Sequence, residues 1–166
     1  MIAGLPGVGK TSVASALAVR VNAVHLSIDA IEESILGCGL PRGRQVGVAA
    51  YEAARAMAEL NLPLGRDVVV DAVNDSDEAR QTWREAASAT GGELRFVHLV
   101  VSDYEAHRRR LLGRDRGLVH VPEPEWRDVQ SRRAEYAPWV DRHIEIDTSE
   151  TPVDAVVECV IPRLAG

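Results

Sequence analysis

The sequence predicts an α/β protein in which a parallel sheet is covered by helices on both faces. Three observations carry that prediction. A glycine-rich loop joins a short apolar stub to a helical pattern at the start of the chain, short Val- and Ile-rich runs alternate with stretches of helical periodicity, and two of the runs end on an aspartate. Strands that alternate with helices are joined by crossovers, which favours parallel pairing and buries the sheet on both sides.

Taken in order, residues 1–3 read as the end of a buried strand. Residues 11–21 carry Val13, Ala14, Ala16, Leu17 and Val21 at helical spacing, and 23–28 read as a second strand ending at Asp29. A short helical stretch and a Gly/Pro break over 37–43 follow. The next helix places Val46, Ala49, Ala50, Ala53, Ala54, Met57 and Leu60 on one face and stops at Pro63 and Gly65. Residues 68–70 form an apolar strand ending in Asp71, and a helix begun by Ser76 or Asp77 is closed by Gly91 and Gly92. A strand over 94–101, helices over about 104–114 and 123–135, and a strand over 144–146 come next. The last helix has Val153, Val156, Val157, Val160 and Ile161 on one face, Pro152 in its first turn and Pro162 near its end. No repeat, low-complexity tract or linker divides the chain, so residues 1–166 are expected to form one domain. The first strand is short, which leaves open whether the native chain starts upstream of Met1.

Composition narrows the function. A hydrophobic fraction of 46% with 27% charged residues excludes disorder, and no apolar run approaches the ~18 residues that cross a bilayer. With no room for a leader before the glycine loop, the cytoplasm is the expected compartment. Cys38 and Cys159 show no metal-ligand spacing and are expected to be reduced thiols. The net charge of -6 argues against a broad nucleic-acid surface. Of the 19 cationic residues all but Lys10 are arginine.

Gly4, Leu5, Pro6, Gly7, Val8, Gly9, Lys10 and Thr11, followed by Ser12, satisfy GxxxxGK[ST]. Such a loop turns its amides around phosphate oxygens at a helix N-terminus, with the lysine on the β- and γ-phosphates and the hydroxyl of Thr11 on Mg2+. A chain of this composition would match by chance only about 0.0005 times. The solitary lysine excludes an Asn-Lys-x-Asp guanine reader, and the strand lysine and His-Arg-Asp loop of protein kinases are absent.

With this loop, the segments HLSIDAIEESI, GRDVVVDAVNDSDEAR and HRRRLLGRDRG, and RRAEYAPW before IEIDTS, the chain resembles small P-loop kinases of the group that contains polynucleotide 5'-kinase domains, zeta toxins and chloramphenicol phosphotransferase, ATP-binding small-molecule kinases of the AAA type. The resemblance spans nearly the whole chain. It implies a three-layer P-loop NTPase fold, a five-stranded parallel sheet in the order 2-3-1-4-5, an acceptor lobe over about 30–62 and an arginine-rich helical lid over about 104–135.

Candidate site residues follow. Asp29 stands at the carboxyl end of a strand, the edge where open α/β sheets bind ligands, and the matching aspartate in the resembled kinases is the general base. The alternative reading of Asp29 is an N-cap for residues 30–36. Asp71 ends the next strand, where a carboxylate serves Mg2+, directly or through water, or the acceptor; otherwise it caps a turn with Asn74 and Asp75. Arg80 reaches back toward the acceptor or lies on the surface. Arg110 and Arg114 fall one helical turn apart and form a candidate pair for the ATP phosphates, against the alternative of a solvated helix end. In the expected acceptor lobe, Arg42, Arg44, Tyr51, Arg55 and Met57 are candidates for touching the acceptor, against the alternative that this largely alanine face is only core. His25 and His98 read as satisfied strand residues.

The expected activity is transfer of the γ-phosphoryl of Mg-ATP to a hydroxyl of a small molecule such as an antibiotic, nucleoside or sugar, with no membrane or nucleic-acid partner. Two alternatives stand beside it, a polynucleotide 5'-hydroxyl kinase, disfavoured by the negative charge, and an ATP-binding switch or ATPase without acceptor chemistry. The Gly-Gly-Gly segment expected of shikimate kinases after Asp71 is absent, as are the acceptor motifs of gluconate kinases.

Overall fold

A computed structural model describes residues 1–164. Five strands, β1 (Ile2–Ala3), β2 (Val24–Ser27), β3 (Val68–Asp71), β4 (Phe96–Val100) and β5 (His143–Asp147), form one parallel sheet in the order β2-β3-β1-β4-β5. Both the pairing and the order are those expected. Ile2 lies opposite Asp71 on one side and Val97 on the other, so the shortest strand occupies the centre.

The period of two along each strand sorts side chains to opposite faces. Val69, Val97, Leu99 and Ile146 face α1 (Lys10–Val21) and α7 (Val153–Leu164), which supply Val13, Leu17, Val156, Val157 and Val160. Leu26, Val70 and Phe96 face the other way, toward α3 (Arg44–Asn61) and α4 (Asp77–Thr90). The alanine-rich face of α3 is therefore core: Ala50, Ala54 and Ala58 are buried, and their small side chains let the helix lie close to the sheet.

Local chemistry sets the helix ends. Ser76 caps α4 by accepting from Ala79 N, and Gly91 closes it in the left-handed region. α2 (Ile28–Gly37) starts directly from β2, with Ser27 at its N-cap. Asp29 thus sits inside the first turn, and the N-cap alternative for it does not hold. α5 (Tyr104–Gly113) is capped by Asp103 and ends at Gly113, one residue earlier than the spacing predicts. Residues 114–125 form an irregular strap, and α6 (Trp126–Glu135) begins after a capping box made by Glu125 and Asp128.

At the amino end of the sheet a cavity of about 630 Å³ is lined by apolar residues such as Leu17, Val68, Val70 and Ile161 together with the charged Arg66, Asp67, Glu93 and Arg95. It lies at the opposite edge from the glycine loop. No helix among the described residues is long and apolar enough to cross a membrane.

Candidate active site

The site is assembled at the carboxyl edge of the sheet, where β1 turns into residues 4–9 and then α1. Gly4 has φ +142°, and a Cβ there would lie 2.3 Å from Leu99 O, so only glycine lets the loop leave the strand beside β4. Gly9 holds the N-cap of α1 at φ 94° and makes no side-chain cap, which leaves the first-turn amides for a ligand. Below the loop sits His107, fully buried on α5. A carbonyl only accepts, so His107 Nε2 donates to Pro6 O at 2.7 Å while Nδ1 accepts from Arg133 Nη2 at 2.8 Å. Burial, helped by the charges of Arg133, Lys10 and Arg110, lowers the His107 pKa and keeps the ring neutral. Thr148, past the end of β5, supports the far side of the loop by donating to Val8 O at 2.9 Å. Sequence reading gave neither residue a role, because each reaches the loop from more than 100 positions away.

Lys10 Nζ donates to Leu5 O at 3.1 Å. Burial lowers its pKa to about 8, against the pull of Asp29 and Asp71 and with the push of Arg114 and Arg116. Bound phosphate would restore the charge. Thr11 Oγ1 donates to Asp71 Oδ2 at 2.8 Å, His25 Nε2 lies 2.7 Å from Oδ1, and Ser27 Oγ donates to Oδ2 at 3.4 Å. Asp71 is 2% exposed and held from β2 and the loop together. It does not cap a turn with Asn74 and Asp75. The strand residue His25 is satisfied, and its partner is this carboxylate.

Asp29 faces the strap. Arg116 Nη1 donates to Asp29 Oδ2 at 2.6 Å, Nε to Glu123 Oε1 at 2.7 Å and Nη2 to Pro122 O at 2.9 Å. Arg114 Nε donates to Glu123 Oε2 at 2.8 Å, whereas its Nη2 is buried without a partner among the described residues. Asp29, Asp71, Arg114 and Arg116 thus all lie within electrostatic reach of Lys10.

Other expectations need correction. Arg110 and Arg114 do not share a helix face, because α5 stops at Gly113 and Arg114 is extended, with φ -84° and ψ 145°. Arg110 instead donates to Thr148 Oγ1 at 3.3 Å and to Ser149 O at 2.6 Å. Arg80 reaches neither acceptor site nor surface. It is 0% exposed, donates to Asn74 O, Ala137 O and Pro138 O at 2.7–3.1 Å, and lies 3.9 Å over the Trp139 ring. The segment following α6 crosses above α4 and seals it. Along α3, Arg55 pairs with Glu52 and Glu59 of its own helix, Tyr51 packs on Trp83 and accepts from Asn74 N, Met57 is exposed, and Arg42 and Arg44 are exposed before and at the start of the helix.

A glycine loop between β1 and α1, this strand order, a carboxylate in the first turn after β2 and another at the end of β3 define the fold of the small P-loop kinases. A family model described as AAA domain matches residues 1–136, and the chain belongs to that family. A putative kinase from Chloroflexus aurantiacus is 21% identical over 99% of this chain and 93% of its own, with a TM-score of 0.76. A gluconokinase from Sinorhizobium meliloti is 24% identical over 99% and 91%, with a TM-score of 0.67. The APS kinase of Mycobacterium tuberculosis, solved in complex with AMPPNP and APS, is 19% identical over 99% and 95%, with a TM-score of 0.66. No curated protein matches the chain in sequence.

Proposed function

We propose that the chain transfers the γ-phosphoryl group of Mg-ATP to a hydroxyl of a small-molecule acceptor. The observation that carries this reading is the meeting of Asp29 and Arg116 at 2.6 Å, at the mouth of a site that also holds Lys10 and Asp71. A bare nucleotide switch has no need of a second, open carboxylate beside the phosphate loop. The donors fit the cofactor: the loop amides and Lys10 suit phosphate oxygens, the buried unpartnered Nη2 of Arg114 suits another, and Thr11 Oγ1 with Asp71 Oδ2 forms an oxygen pair suited to magnesium. Magnesium, when bound, neutralises charge on the phosphate oxygens. Lys10 and Arg114 would hold the transferring group, Arg116 would orient Asp29, and Asp29 would accept the proton of the acceptor hydroxyl. Binding at a hydroxyl-accepting site is also consistent with kinases of small molecules among the proteins of like fold.

The test is ADP release from ATP with antibiotic, nucleoside, sugar and oligonucleotide pools. One small-molecule pool is expected to raise turnover of the parent, and Lys10→Ala should lower that turnover by on the order of 100-fold. Stimulation by no pool, or by oligonucleotide alone, contradicts the proposal.

A further inference from the structure

A second cluster lies on β4 and the edge strand β5. β4 and β5 pair with His98 opposite Glu145 and Phe96 opposite His143. The period of two then brings His98, His143 and Glu145 out on one face. One ligand atom of each lies within 4.8 Å of the other two, and His98 Nδ1 is already 3.2 Å from Glu145 Oε2. We propose that these three residues bind one divalent transition-metal ion of the zinc class.

Two features beyond proximity support it. His143 Nδ1 is 3.0 Å from Asp141 O, and since a carbonyl cannot donate, that nitrogen carries the proton and Nε2 keeps its lone pair. This is the outer-shell contact that fixes the tautomer of a metal-ligating imidazole. The scaffold behind it is also rigid. Arg84 clasps Asp141 through Nε at 2.9 Å and Nη2 at 3.0 Å, Trp139 stacks on His143 with centroids 4.8 Å apart, and the buried Arg80 lies 3.9 Å over the Trp139 ring. Two imidazoles and a carboxylate suit zinc and not magnesium, so the site is chemically separate from the Thr11–Asp71 pair. Glu145 is exposed, which leaves a coordination position to water and gives a metal the role of tying edge strand β5 to β4.

The experiment uses untagged, chelator-treated protein titrated calorimetrically with zinc in excess Mg2+, with thermal unfolding in parallel. One zinc is expected per chain, with a rise in melting temperature. His143→Gln should weaken it by about 100-fold or more and Glu145→Gln by at least about 10-fold, and both should lose the thermal shift. No zinc uptake by the parent, or unchanged affinity in either variant, overturns the proposal. Should His143→Gln fail to fold, the exposed Glu145→Gln decides alone.

Discussion

Asp29 and Arg116 stand 87 positions apart in sequence and 2.6 Å apart in space. The aspartate was legible because it ends an apolar run; its partner was one arginine among many, and only the path of the strap selects it. Arg116 spreads three donors over Asp29, Glu123 and Pro122 O, a fan an ammonium cannot reproduce. Arg116→Lys is therefore expected to lower kcat by about 10-fold or more with nucleotide affinity retained, read from steady-state kinetics beside direct ATP titration. His107 makes the second prediction. The unfolded chain takes up a proton near the ordinary value of 6.5 that the folded chain resists, so stability present above that pH falls as pH drops through it. His107→Gln should flatten the decline in urea midpoint between about pH 7.5 and 5.5; His98, shifted in the same direction, leaves part of the slope. An unchanged slope would show that His107 is not held neutral.

Among the elements, the strap is where sequence pattern failed. Helical spacing placed Arg110 and Arg114 on one face, but residues 114–125 have no periodicity to read, and Gly113 ends the helix before the second arginine. What fixes the strap is a carboxylate on α2. Glu33 accepts from the amides of Val119, His120 and Val121 at 2.8–3.0 Å, while Val121 and Leu118 pack against Leu36 and Val46. Helices α2 and α3 thus hold the segment that carries Arg116. Glu33→Ala is expected to speed hydrogen exchange of these three amides by on the order of 10-fold, while β4 amides keep the parent rate. Equal protection in the variant would mean that the apolar contacts alone hold the strap.

Across the whole molecule, five strands, the alternation of faces and the glycine loop were all legible, because each rests on a local period or a strict motif. The central position of the shortest strand was not; it came from resemblance, since strand order depends on crossovers that leave little local trace. Arg80 was misplaced for a related reason: its burial needs residues 136–139, which no property of α4 announces. If the glycine loop binds ATP, the ligand should stabilise the entire fold. At a ligand concentration of about 100 Kd the gain is about 2.7 kcal/mol, or a rise of roughly 5–10 °C in Tm for a chain of this size, and Lys10→Ala should lose most of it.

The central claim is that the nucleotide site is completed into a kinase by Asp29. Its most direct measurement is single-turnover transfer of labelled γ-phosphate to a stimulating acceptor by the parent and by Asp29→Asn, with ATP affinity determined for both. The expected result is equal ATP affinity and a transfer rate lower by about 100-fold to 10,000-fold in the variant. Transfer at the parent rate by Asp29→Asn would contradict the account.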